Sequence, residues 1–178
     1  MPDPIVRDAT PADAAACAAI YAPYVTGTTV TFETDPPDAA EMARRIAKAQ
    51  DRHAFLVLEE DGEVAGYAYA GPFKERAAYR WSCEVSVYLE PTQQGRGAGR
   101  RLYAVLLERL TARGYRMAAA GMTQPNEASG RLHAAMGFEP VGTYRGIGWK
   151  FGAARDVTWV QRVLGEPFTG PGDPPEPT

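Results

Sequence analysis

Apolar residues recur at helical spacing in some stretches of the chain and alternate or run together in others, with Gly, Pro, Asp and Asn between them. Ile5-Val6-Arg7 reads as a short edge strand. Thr10, Pro11 and Asp13 supply an N-cap, a first helical position and a first-turn acid, so a helix follows. It carries Ala16, Ile20 and Tyr21 at helical spacing and is expected to stop near Pro23. Residues 25–37, β-branched and ending at Pro36-Pro37, read as an extended loop. Asp38 can cap a second helix to about Gln50, with Met42 and Ile46 on its inner face. Strands at Ala54–Glu59 and Val64–Ala70 flank Asp61-Gly62, a strong hairpin signal. Tyr79–Leu89 is the longest strand-like run. Arg100–Arg113 is a helix with Leu102, Val105, Leu106 and Leu110 along one face and Gly114 as its stop. A strand at Met117–Met122, a short helix from Ala128 to Met136, and strands near Val141–Tyr144 and Val157–Val163 complete the body. The order β-α-α-β-β-β-α-β-α-β-β predicts a mixed α/β domain, residues 1–164, in which helices cover a twisted sheet. Residues 165–178, rich in Pro, Gly and acidic residues, are expected to form a flexible tail.

Composition narrows the class. The 178 residues fit one domain, and 45% hydrophobic with 23% charged residues is ordinary for a globular protein. A net charge of −3 with mixed signs argues against nucleic acid as partner, since phosphate backbones demand a basic face. Cys17 and Cys83 lack any metal-ligand spacing and read as buried, reduced thiols, so no metal is expected. Residues 1–10 lack a basic-then-apolar leader pattern, and no apolar run is long enough to span a membrane. A soluble cytoplasmic protein is the expectation.

The chemistry concentrates in Gln94-Gly95-Arg96-Gly97-Ala98-Gly99, between a strand and a helix. Glycines let the backbone approach a ligand, and the following helix offers unpaired N–H groups and the positive end of its dipole. On spacing alone the segment is either a phosphate cradle or a plain flexible loop. It is not a dinucleotide fingerprint, lying far from the N-terminus with no acidic strand end after it. It is not a P-loop, having no Gly-Lys-Ser/Thr ending.

With its surroundings, the segment resembles the Gln/Arg-x-x-Gly-x-Gly/Ala acetyl-CoA loop of the GNAT superfamily. The strand Glu84–Pro91 before it and the block Asn126-Glu127-Ala128-Ser129-Gly130-Arg131-Leu132-His133, with Met136-Gly137-Phe138, match that superfamily in order. Ala70–Glu84, Thr29–Pro36, Gly148-Trp149-Lys150-Phe151-Gly152 and the strand from Asp156 to Gln161 are similar to phosphinothricin and methionine sulfoximine N-acetyltransferases. The resemblance implies a mostly antiparallel sheet flanked by helices, with strands splayed at the acetyl-CoA site. It implies acetyl-CoA as co-substrate, with contacts from the backbone of Ser86, Val87 and Tyr88, from Gln94, Gly95, Arg96, Gly97, Ala98 and Gly99, and from Asn126 and Ser129. Asn126 also reads as an ordinary helix cap.

An amine acceptor is mostly protonated at neutral pH, so a base must take its proton. Glu84 shares a strand face with Ser82, Ser86 and Tyr88, and the resemblance implies that it is the general base. It further implies that Phe32, Lys74, Arg76, Tyr79 and Glu84 line the acceptor pocket, with the cations matching phosphinate or sulfoximine oxygens. His133 is a relay, a substrate contact or a packing residue, and Tyr88 is a candidate acid for the departing thiolate. Arg80 either strengthens anion binding or pairs with Glu75 or Glu84. The implied product is the α-N-acetyl derivative of a small amino-acid analogue, the implied context is antibiotic or herbicide resistance, and the implied assembly is a homodimer. Acetylation of protein lysines, a non-catalytic acetyl-CoA-binding module, and an acyl-carrying Cys83 are the alternatives.

Overall fold

The computed structural model describes residues 4–178. Strand β1 (Ile5–Asp8) leads through a short 3₁₀ turn into α1 (Ala14–Gly27), where the Thr10 N–H donates to Asp13 Oδ2 at 2.7 Å. Helix α1 passes through Pro23 rather than ending there. Proline removes one N–H, and the carbonyl it would have met belongs to Ala19, which is exposed and can turn to water. Helix α2 (Ala39–Arg52) starts as expected, with Asp38 Oδ1 accepting from the Glu41 N–H at 2.7 Å and Met42, Ile46 and Ala49 turned inward.

Next come β2 (Ala54–Glu60) and β3 (Glu63–Pro72), joined through Asp61 and Gly62, both at positive φ as a tight hairpin requires. Strand β4 (Ser82–Leu89) is shorter than the sequence pattern suggests, because Ala77–Tyr79 form a 3₁₀ turn before it. Helix α3 (Ala98–Ala112) follows, then β5 (Met117–Thr123), α4 (Glu127–Ala135), β6 (Glu139–Lys150) and β7 (Ala153–Val163). The element order matches the sequence reading. The closing pair is much longer than expected, and β6 rather than β4 is the longest strand.

The sheet runs β1-β2-β3-β4-β5-β7-β6, with every pair antiparallel except β4 and β5. Two cores occupy its faces. Helix α3 packs Leu102, Leu106 and Leu110 against Leu56, Ala68, Cys83, Val85 and Ala118. Helices α1 and α2 pack Ile20, Tyr21, Val25, Met42 and Ile46 against Phe55, Val57 and Tyr67 on the opposite face. Such burial, at about 25 cal/mol per Å² of apolar surface, is the main term holding helices to sheet.

After β7 the chain turns back. Arg116 donates to the Glu166 carbonyl at 3.1 Å, Trp81 Nε1 donates to the Pro175 carbonyl at 2.9 Å, and the Thr178 N–H reaches the Arg113 carbonyl at 2.9 Å. Arg80 pairs with Glu176 rather than with Glu75 or Glu84.

Candidate active site

The site begins where the parallel pair parts. Strands β4 and β5 are in register only at Ser82–Met117, Cys83–Ala118 and Glu84–Ala119. Beyond Glu84, β4 stays paired with β3 but has no partner on its β5 side. A V-shaped opening therefore begins at Glu84 and exposes the backbone edge of Val85–Tyr88. The Leu89 carbonyl is already taken by the Tyr24 hydroxyl at 2.6 Å. This is the splay expected of the pantetheine-binding strand, and an extended chain carrying amide groups can add there as a further strand would.

At the mouth of the opening lies the glycine loop. Gly95 and Gly97 have φ values of 76° and 83°, a region that L side chains rarely adopt, and a Cβ on either would meet no atom within 4 Å. Gly99 differs: its Cα is buried, and a Cβ there would lie 3.0 Å from Leu132 Cδ2. Close packing of α3 on α4 thus accounts for the third glycine, and the left-handed backbone for the first two, which leave open space before the helix. The N–H groups of Gly95, Gly97, Ala98, Gly99 and Arg100 meet no backbone carbonyl. They point outward at the start of a 15-residue helix, the arrangement that binds phosphate. Arg100 and Arg101 have no ion-pair partner among the described residues, whereas Arg96 is held by Glu60 at 3.2 Å. The loop's residues fit a pyrophosphate.

Glu84 projects from the same face of β4 as Ser82 and Ser86, half-buried, and its carboxylate has no hydrogen-bond or ion-pair partner among the described residues. Burial raises its pKa above the usual carboxylate range, while the Lys74 ammonium acts in the opposite sense. Lys74, Arg76 and Tyr79 are all exposed on the β3–β4 loop. Phe73 anchors that loop, with ring centroids 5.8 Å from Tyr79 and 5.9 Å from Trp159. A cleft of about 430 Å³ runs along this face, lined by Phe73, Lys74, Ser82, Tyr144, Trp159 and Gln161. Phe32 is 40% exposed and packs on Gly148 of β6, the strand whose Tyr144 lines that cleft.

Other candidates sit elsewhere. Tyr88 lies among Tyr21, Tyr24 and Tyr67, with ring centroids at 4.8, 5.3 and 5.5 Å, and burial lifts its pKa well above that of an ordinary phenol. His133 is 3% exposed in the α3–α4 core. Its Nδ1–H donates to the Ser129 carbonyl at 2.8 Å, its Nε2 accepts from the Tyr103 hydroxyl at 3.1 Å, and burial lowers its pKa. Both ring nitrogens are thus engaged with protein. Asn126 Oδ1 caps α4 by accepting from the Ser129 N–H at 3.1 Å. Cys83 is fully buried and faces α3, away from Glu84, and burial pushes its thiol up to about 12, the setting of an inert structural cysteine. Lys150, which the sequence reading left without a role, is buried and gives its ammonium to the carbonyls of Val25 and Thr31.

Comparison with known proteins agrees with this geometry. The family model for the acetyltransferase (GNAT) domain matches residues 6–159. Over 157 residues the chain is 42% identical to a phosphinothricin N-acetyltransferase of Streptomyces viridochromogenes, covering 88% of this chain and 86% of that one. It is 37% identical over 161 residues to an L-methionine sulfoximine/L-methionine sulfone acetyltransferase of Pseudomonas paraeruginosa, covering 89% and 94%. The crystal structure of a phosphinothricin acetyltransferase from Sinorhizobium meliloti in complex with acetyl-CoA superposes with a TM-score of 0.87 at 38% identity, covering 91% of this chain and 89% of that one. With the parting of β4 from β5, the glycine loop that follows it and the match of the family model and the relatives over most of the chain, the chain is an N-acetyltransferase belonging to the GNAT family.

Proposed function

We propose that the protein transfers the acetyl group of acetyl-CoA to the α-amine of a small amino-acid analogue of the phosphinothricin or methionine sulfoximine type. The observation that carries this reading is the half-buried, unpartnered Glu84 carboxylate at the fork of β4 and β5, beside a cleft that holds Lys74. The pyrophosphate of acetyl-CoA lies against the free N–H groups of Gly95 and of residues 97–100, and its pantetheine arm runs along the open edge of Val85–Tyr88. Asn126 and Ser129, at the start of α4, flank the same arm from the far side of the opening.

Glu84 takes a proton from the acceptor ammonium, directly or through one water. The freed amine attacks the thioester carbonyl, a C–N bond forms, the C–S bond breaks, CoA leaves as thiolate, and the second proton shed by the acylated nitrogen passes to that thiolate or to solvent. A base is most useful when its pKa approaches the working pH, and the burial of Glu84 moves it in that direction. The thiolate is a good leaving group, so no acid is required. Tyr88 keeps its proton at neutral pH, its ring packed among Tyr21, Tyr24 and Tyr67. The engaged nitrogens of His133 assign it to packing. Lys74 and Arg76 receive the acidic end of the acceptor, and Phe32 and Tyr79 face its aliphatic part. Strand β6 turns Val141, Tyr144, Ile147 and Trp149 outward, and Trp149 is 74% exposed. We assign this apolar face to a second copy of the chain, in a soluble cytoplasmic homodimer.

The test is thiol release from acetyl-CoA with phosphinothricin, methionine sulfoximine, methionine sulfone and a lysine peptide as separate acceptors. Release with the small analogues supports the proposal. Release with the peptide alone moves the protein to the protein-acetylating class, and silence with every acceptor despite acetyl-CoA binding overturns the acceptor assignment.

A further inference from the structure

Lys150 ends β6, just before the turn at Phe151 and Gly152, where φ is 54° and 71°. Its side chain points into the protein and the residue is 6% exposed. A buried ammonium is costly unless its protons are placed. Here Nζ donates to the Val25 carbonyl at 2.7 Å and to the Thr31 carbonyl at 2.8 Å. Val25 lies in the last turn of α1, where carbonyls lack intrahelical partners and the dipole favours a cation. Thr31 belongs to the irregular segment that follows. One ammonium thus joins the end of a helix, the irregular loop that follows it and the β6–β7 turn.

The same segment is held from two further sides. The Thr31 hydroxyl meets the Tyr21 hydroxyl at 2.6 Å, and the Glu33 carboxylate takes both ends of the Arg45 guanidinium at 2.7 and 3.1 Å. Between these two fixed residues stands Phe32. Its ring rests on Gly148, two residues before Lys150, so closely that a Cβ at that glycine would come within 2.3 Å of Phe32 Cε2. The segment is also tied to the Glu84 face of β4: Tyr21, which meets the Thr31 hydroxyl, packs its ring 4.8 Å from that of Tyr88, on the strand face that carries Glu84.

We propose that Lys150 is a positioning residue for acceptor selection: by holding the Val25 and Thr31 carbonyls it fixes the loop 28–33, and so sets the Phe32 ring against the aliphatic part of the acceptor. It does not touch the reacting atoms. The inference rests on the assignment of Phe32 to the acceptor pocket.

Lys150→Met keeps most of the side-chain length and removes the charge and the donors. With the full chain, phosphinothricin as acceptor and thiol release as readout, the acceptor KM should rise about tenfold, as expected for loss of charge-assisted hydrogen bonds. The KM for acetyl-CoA should stay within about twofold, and Lys150→Arg should recover part of the loss. Because Lys150 acts through Phe32, the double variant Lys150→Met with Phe32→Ala should cost no more than Phe32→Ala alone. Additive effects, or equal rises in both KM values, overturn the proposal. Should Lys150→Met fail to fold, Gly148→Ala moves the same ring from the strand side, and an unchanged acceptor KM in that variant overturns the proposal as well. An unchanged acceptor KM in Phe32→Ala removes the assignment of Phe32 and this inference with it. A raised one beside an unaffected Lys150→Met removes this inference alone.

Discussion

Glu84→Gln is the substitution that tests the chemistry most directly. The amide has nearly the same shape as the carboxylate, and the carboxylate has no partner to lose among the described residues, so the change removes a charge and a basic site with little else. A positioned general base contributes about 10²–10⁴ in rate, so turnover should fall by that factor, roughly 3–5 kcal/mol of barrier. Acetyl-CoA affinity should not change, because the cradle lies at residues 95–100. The pH profile gives a second reading. The active form of Glu84 is the ionised one, so wild-type kcat/KM should be lost as pH falls through its raised pKa, and this acidic limb should vanish in Glu84→Gln. Lys74 opposes the rise, so Lys74→Met should move the limb to higher pH. Stability should go the other way. A carboxyl whose pKa is raised by folding contributes stability below its unfolded pKa and loses it as pH rises through the folded one. Above its folded pKa the wild type therefore holds an ionised group that folding disfavours, and there Glu84→Gln should melt at the same temperature or higher. Thiol release from acetyl-CoA across pH 5–9, with thermal melts of both proteins, checks all three points. Turnover within about threefold of wild type, or an intact acidic limb in the variant, would refute the base assignment.

Gly97→Val should weaken acetyl-CoA binding at least tenfold by calorimetry, since forcing a β-branched residue to a φ of 83° costs about 1–3 kcal/mol and puts a side chain where phosphate must approach; unaltered affinity would misplace the cradle. Cys83→Ala should retain wild-type turnover while melting lower, through loss of a buried side chain in the α3 core; lost activity in a folded variant would restore an acyl-enzyme route. Ile147→Asp with Trp149→Asp should shift the protein to monomer in sedimentation velocity, because charges at the centre of an apolar contact are desolvated without partners; an unchanged dimer would place the interface elsewhere.

Much of this was legible along the chain. Turn and cap chemistry acts over a few residues, so Asp38, Asp61-Gly62, Gly114 and the glycine loop announced themselves, and the order of strands and helices followed. Alternation alone put Glu84 on a face opposite Cys83. Strand β6 was under-read because Pro140, Gly142, Gly146 and Gly148 look like turn residues and its apolar side chains face outward, giving no buried face to detect. Pro23 was over-read as a stop, because only the surroundings reveal that the carbonyl it orphans is exposed to water.

What the sequence by itself determined was the set of elements, the glycine loop between β4 and α3 and the face of β4 that carries Glu84, because each depends on neighbours within a turn or a strand. Tertiary structure alone decided the rest. It decided that β4 leaves β5 at Glu84, a matter of registry between residues far apart in the chain. It decided that Gly99 packs against Leu132 while Gly95 and Gly97 face open space. It turned Arg80 to Glu176, 96 positions away, and both nitrogens of His133 to protein partners. It also set the Lys150 ammonium on a carbonyl 125 positions earlier. A side chain's partner across such distances is set by which surfaces the folded sheet brings together, and no local rule of propensity or spacing carries that information.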